Sequence, residues 1–249
     1  MFDLSTAMLT AVLATFFTAG LVKGITGMGL PTVAMGVLGA LVSPLAAASL
    51  LIIPSLVTNI WQLFAGPSFK PLLRRLWPMM LAIVAGTLLG SAWISGGDTK
   101  ATTPFLGLAL ILYSAYTLFA RQLNFPRWSE RFLSPLVGGV TGTVTGATGV
   151  FVIPAVPYLQ ALGLSKDDLV QALGLSFTVS TVALAIGLGA YGAFEPDRLA
   201  ISALAVIPAL AGMWAGQRVR NRISPAAFRR GFLVCLLLLG CEMATRHLL

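Results

Sequence analysis

Six stretches of this chain, 4–22, 45–64, 77–94, 104–120, 199–216 and 228–244, are apolar over close to the ~20 residues that an α-helix needs to cross a hydrocarbon core. Inside a bilayer the backbone finds no water, so runs of this length commit the chain to helices whose peptide groups are satisfied internally. Composition agrees. Hydrophobic residues make up 57% of the 249 positions, charged residues only 10%, and the mean hydropathy is +0.90, whereas a soluble domain carries roughly 25% charge. Four shorter apolar pieces, 28–42, 132–145, 150–164 and 169–191, raise the total to about ten segments. Two of them are too short for an ordinary crossing helix. The chain opens Met-Phe-Asp-Leu-Ser, without a basic leader or a cleavage signal, so its first helix is expected to remain in the mature protein.

A net charge of +8 could suggest a nucleic-acid partner, but the basic residues sit in short connectors rather than along one solvated face. With the amino terminus outside and ten crossings, Lys23, Lys70, Arg74, Arg75, Arg121, Arg127, Arg131, Lys166 and the cluster from Arg218 to Arg230 all fall inside. Lys100, Arg198 and Arg246 remain outside, together with Asp3, Asp98, Glu195, Asp197 and Glu242. That asymmetry follows the positive-inside rule, makes the lipid bilayer the partner and places both termini on the outer face. Trp61, Trp77, Trp93 and Trp214 fall near span ends, where indole rings favour the headgroup layer.

The chain also repeats itself. KGITGMGLP over 23–31 resembles TVTGATG over 143–149 with Pro154 beyond it, and Thr26/Thr145 and Gly27/Gly146 share an offset of 119. Gly86-xxx-Gly90 and Gly212-xxx-Gly216 match at an offset of 126 and read as close helix packing. Five segments per copy is an odd number, so the second copy must enter from the opposite side. The expected fold is therefore an all-α integral membrane protein of about ten transmembrane segments in two inverted-topology repeats of five. The first repeat is 1–121, a cytoplasmic linker 122–131 follows, and the second repeat is 132–249.

Paired Gly-rich segments each followed by Pro, a helix carrying Ala48-Ser49 or Ala172 to Ser176, and a closing Gly-xxx-Gly helix occur in the same order in both halves. Over nearly its whole length the chain resembles the TauE/SafE sulfite exporter family. The resemblance implies export of sulfite, sulfoacetate, thiosulfate or a related small organosulfur anion across a bacterial inner membrane; with the charge asymmetry above, both termini are then expected to be periplasmic, and no cofactor is expected. Import of a small organic anion, or a non-transporting role as a membrane assembly subunit, remains an alternative reading.

A helix broken inside the membrane exposes unpaired N–H groups and a positive dipole end, which suit the oxygens of a sulfite or sulfonate. The candidate substrate-binding residues are accordingly Thr26, Gly27, Met28 and Gly29 in the first copy and Thr145, Gly146, Thr148 and Gly149 in the second. The two breaks are expected to face each other near mid-membrane. Thr141, Thr145 and Thr148 follow i, i+4, i+7 spacing, as do Ser55, Asn59 and Gln62, so each set can line one helix face. Ser49, Ser176 and Ser180 extend the polar set. Lys23, just before the first motif, could attract anions, although a Lys at a span boundary ordinarily anchors topology. Every acidic residue falls in a connector or near a chain end and His247 lies close to the carboxyl terminus, so no intramembrane proton relay is visible. Outward movement driven by the membrane potential is the mechanism expected. An intramembrane enzyme is disfavoured by the lack of an HExxH pair or an intramembrane Asp pair. No metal site is expected, because Cys235 and Cys241 lie six residues apart in one helix, where they read as two packed, inert thiols.

Overall fold

In a computed structural model, residues 6–96, 99–119, 125–220, 222 and 224–245 are described. Asp3, Asp98, Arg121, Arg246 and His247, used in the charge and relay arguments, lie outside them. The described chain is all-helical: α1 (Thr6–Thr26), α2 (Leu30–Leu41), α3 (Pro44–Phe64), α4 (Phe69–Ser95), α5 (Thr99–Phe119), a 3-10 turn (Arg127–Ser129), α6 (Glu130–Thr148), α7 (Ala155–Ala161), α8 (Lys166–Ala190), α9 (Pro196–Leu204), α10 (Val206–Val219) and α11 (Pro225–Thr245). Helices α9 and α10 are one rod interrupted at Ala205, so ten helical segments follow one another.

Six segments are long and apolar enough to cross a membrane: α1, α3, α4, residues Lys100–Phe119 of α5, α8, and the α9–α10 rod. This set differs from the sequence expectation at two places. The piece 169–191 covers all but the start of a 25-residue helix whose first turn is polar, with the Ser165 hydroxyl accepting from Asp168 N at 3.1 Å and Asp167 and Asp168 at the positive dipole end. Helix α11 is 21 residues long, yet it carries three charged side chains, Arg229, Arg230 and Glu242, and is not among the six. Its two thiols are not packed: Cys235 and Cys241 are both exposed on the outside of the bundle.

The two short pieces are short helices, of 12 residues in α2 and 7 in α7. Both turn back along the helix before them. Gly29, at the start of α2, lies beside Val22 of α1 and Phe232 of α11, whereas Gly39 near its end reaches Leu106 and Met243. In the other half, Tyr158 of α7 meets Ser134 in the second turn of α6. The carbonyl of Leu162 beyond α7 accepts from Arg75 at 3.3 Å, and Arg75 grips Glu130 in a bidentate ion pair of 2.6 and 2.8 Å.

Close packing is concentrated in two parallel helix pairs. Along α4 and α6, Gly86 lies on Gly142 and Gly90 on Gly146, while Gly138 lies on Met79; a Cβ at any of these glycines would overlap backbone of the facing helix. Along α1 and α10, Gly20, Gly24, Gly212 and Gly216 interlock in the same way. Van der Waals contact between backbones replaces the hydrophobic drive that is missing between helices in lipid. The packing role read from Gly86, Gly90, Gly212 and Gly216 is the one they have. Around this core the outer surface is apolar. Leu89, Phe119, Leu136, Ile207 and Leu238 are largely exposed, and Trp61, Trp77, Trp93 and Trp214 are each more than half exposed, as lipid-facing positions require.

Helices α3 and α8 run antiparallel through the centre. Ser49 Oγ contacts Ala193 O at 3.3 Å at one end, Gln171 Nε2 donates to Leu63 O and Gly66 O at 2.7 Å at the other, and Asn59 meets Thr181 between them. Pro54 inside α3 has no N–H, which leaves the carbonyl of Leu50 without its helical donor. The buried hydroxyl of Ser202 on α9 fills that place, donating to Leu50 O at 2.8 Å and accepting from Ile53 N at 3.3 Å. Ser202→Ala is therefore expected to destabilise the purified protein by about 1 kcal/mol or somewhat more, seen as a lowered thermal midpoint. An unchanged midpoint would show that the bond from this hydroxyl to Leu50 O adds nothing measurable to stability.

Candidate functional site

The centre of the bundle holds a buried lysine. Lys23, in the last turn of α1, is 3% exposed. Its Nζ donates to Thr58 Oγ1 at 3.1 Å and, in a shorter bond, to Asn59 Oδ1. Thr58 hands its own proton back to Pro54 O at 2.8 Å, and Asn59 Nδ2 donates across the bundle to Thr181 Oγ1 at 3.2 Å. Among the described residues no carboxylate lies within ion-pair distance of Lys23, and Lys23 is the only charged side chain in the buried set. The expectation of a boundary anchor is corrected here. Lys23 belongs to helix α1 rather than to a connector, and its ammonium points into the core. A cation held out of water without a counter-ion costs several kcal/mol.

One turn further on, α1 ends. Gly27 adopts φ +78° and its N–H bonds Lys23 O at 2.7 Å, while Gly29 at φ +105° starts α2 with Pro31 in its first turn. Thr26 Oγ1 lies 2.6 Å from Met28 O and 2.9 Å from Val22 O, and accepts from Met28 N at 3.3 Å. Gln62 Nε2 donates to Gly27 O at 3.1 Å and to Val170 O at 3.0 Å, tying the break to the end of α3 and the start of α8. Its Oε1 is buried without a partner.

The second break has the same local chemistry. Gly149, at φ +69°, bonds Thr145 O through its N–H at 2.7 Å, Thr148 Oγ1 lies 2.7 Å from Val144 O, and Val150 N donates to Thr148 Oγ1 at 3.2 Å. These partners equate Thr26 with Thr148 and Gly27 with Gly149, an offset of 122 residues rather than the 119 read from the motif letters. In this register Lys23 corresponds to Thr145, Thr58 to Ser180 and Asn59 to Thr181. Gly146 lies inside α6, packed against the backbone of α4, and does not form the break.

The breaks do not face each other. Gly27 sits with the last turn of α3 and the first turn of α8, whereas Gly149 lies beyond Gly146, at the level where Gly90 and Ser91 pack near the far end of α8. They are displaced to opposite ends of the α3–α8 pair. Between them run buried hydroxyls. Ser55 on α3, Ser176 and Ser180 on α8, Thr141 on α6 and Thr87 on α4 each carry a buried Oγ that has no partner. Thr145 donates to Thr141 O at 2.7 Å, and Ser49 bonds Leu45 O at 3.0 Å besides Ala193 O, so these two are spent on backbone. Met28 is buried beside the first break.

Two residues were invisible to sequence reasoning: Gln171, which caps the end of α3 and accepts from Ser68 N at 2.8 Å, and Thr181, the partner of Asn59. Thr181 could have been found by moving the internal alignment one helical turn. Gln171 lies near the start of the apolar piece 169–191, where nothing in the spacing shows that its amide reaches the end of another helix. Among the described residues no three His, Cys, Asp or Glu side chains group into a metal-binding set.

Six segments long and apolar enough to cross a membrane, short helices folded back at glycine breaks, and a lone lysine hydrogen-bonded at the centre describe a multi-pass membrane protein. The description sulfite exporter TauE/SafE matches residues 12–243, and the chain belongs to that family. Its members are transporters rather than enzymes, and the family implies a small anionic substrate. No curated protein and no solved structure matches the chain.

Proposed function

We propose that this protein exports sulfite or another small organosulfur anion, with Lys23 as the anchoring cation, by alternating access driven by the membrane potential. The observation that carries the reading is the buried, carboxylate-free Lys23 bonded to Thr58 and Asn59. An anion oxygen is the partner that would neutralise it, taking the acceptor places these two side chains now hold. The unpartnered hydroxyls of Ser55, Ser176, Ser180 and Thr141 supply neutral donors toward the other break.

Two inverted repeats, 1–121 and 132–249 joined by 122–131, are part of the proposal, in a bacterial inner membrane with both termini periplasmic. Three features support them: the twin hydrogen-bond pattern at Gly27 and Gly149, the pairing of α1 with α10 and α4 with α6, and the antiparallel α3–α8 crossing at Asn59 and Thr181. In that frame Gly27 and Lys23 open toward the cytoplasm and Gly149 toward the periplasm. Rocking of one half against the other would pass the anion between them. An inside-negative potential favours the outward step by about 2.3 kcal/mol per charge per 100 mV.

Proteoliposomes loaded with sulfite test the reading. Efflux is expected to rise when an inside-negative potential is imposed, and Asn59→Ala is expected to slow it about tenfold by leaving Lys23 and Thr181 without their shared partner. Flux that follows only a proton gradient at clamped zero potential would contradict the driving force proposed, and wild-type flux in Asn59→Ala would remove Asn59 from the pathway.

A further inference from the structure

The two halves of the core are chemically unequal. In the register set by the two breaks, Lys23, Thr58 and Asn59 correspond to Thr145, Ser180 and Thr181. One side therefore has an ammonium held by an amide and a hydroxyl, and the other has hydroxyls alone. Among the described residues no second cation is buried anywhere in the bundle. Two of the hydroxyls on the neutral side, Ser180 Oγ and Thr141 Oγ1, are fully buried and have no partner, so they can donate to a ligand oxygen but cannot cancel a charge.

We infer that the site, if it binds anions as proposed above, takes one net negative charge at a time: hydrogensulfite or a simple sulfonate rather than a dianion such as sulfate or thiosulfate. A monoanion on Lys23 leaves a neutral, hydrogen-bonded pair in the core. A dianion leaves one charge unpaired in low dielectric, with the same penalty that attaches to Lys23 standing alone. Thr145 is then the residue that sets the charge limit, because it occupies the place where a second cation would stand.

Two compounds of similar shape separate the cases. Methanesulfonate keeps a single charge at every pH near neutrality, whereas methylphosphonate passes from one charge to two as pH rises. Each is measured as an inhibitor of sulfite flux in proteoliposomes of the full chain. The potency of methylphosphonate relative to methanesulfonate is expected to fall about tenfold or more as the second proton leaves. A ratio that stays constant with pH overturns the inference. Thr145→Lys gives an independent reading: a gain of about tenfold in inhibition by sulfate relative to methanesulfonate supports the charge limit, and an unchanged ratio in folded protein contradicts it. If neither compound inhibits wild-type protein, the anion site itself has failed, which is a different outcome from equal inhibition by both charge states.

Discussion

Replacing Lys23 by Met is expected to abolish anion flux, by about a hundredfold or more, while raising the thermal stability of the purified protein. The two effects have opposite signs for one reason. Lys23 is buried with only Thr58 and Asn59 as acceptors and no carboxylate beside it. A Met of similar length fills the same space without a charge to desolvate, and the several kcal/mol of desolvation relieved outweigh the about 1–3 kcal/mol lost at Asn59 Oδ1, which is left without its donor. The anion, however, loses the only buried cation in the described bundle. Flux in proteoliposomes and a melting curve in detergent measure the two quantities separately. Lost flux with lowered stability would make Lys23 a structural residue, and retained flux would remove it from the site.

Gly142→Val is expected to be the most damaging single change in the scaffold. A Cβ at Gly142 overlaps Ile83 O and comes 2.8 Å from Thr87 N, both backbone atoms of α4, which cannot step aside as a flexible side chain would. Relief requires α4 and α6 to separate, and the seam from Gly138 to Gly146 would open along its length. The cost is of the order of 3 kcal/mol or more, as for overpacking in a rigid core, and the variant should fail to give a monodisperse peak on size-exclusion chromatography. Gly139→Val, with open space around its Cβ on the same helix, is the control and should behave as wild type. Equal behaviour of the two would mean that the α4–α6 seam is not what holds the bundle together.

The fold was legible in the sequence where it depends on length and composition. Crossing helices declare themselves because lipid forbids unpaired backbone, and the glycine pairs Gly86/Gly90 and Gly212/Gly216 declare close packing because only a missing side chain lets backbones touch. The ends of helices were harder. Helix α8 begins with Lys166, Asp167 and Asp168, charges that a hydropathy reading assigns to a connector although they cap a continuous helix.

The candidate site was legible in part. Asn59, Gln62 and Ser55 stand out as polar positions in an apolar helix, and all three are buried in the core. The alignment of the two breaks missed by three residues although the 122-residue register also pairs Val22 with Val144 and Gly24 with Gly146, because the Thr-Gly pair by itself fits both registers. Hydrogen bonds to Lys23 O and Thr145 O select one of them. The place of Lys23 was hidden for a physical reason too. A lysine at the end of an apolar run can reach outward to the headgroups or inward to an acceptor, and the choice is made by Thr58 and Asn59, which reach it from a different helix.

The most direct measurement locates the anion itself. Bromomethanesulfonate carries one negative charge and an anomalous scatterer, and a crystal of the protein soaked with it would place the bromine unambiguously. The account predicts its sulfonate oxygens within hydrogen-bonding distance of Lys23 Nζ, with Asn59 or Thr58 displaced from the ammonium. Bromine bound elsewhere in the bundle, with the bonds from Lys23 to Thr58 and Asn59 intact, would contradict it.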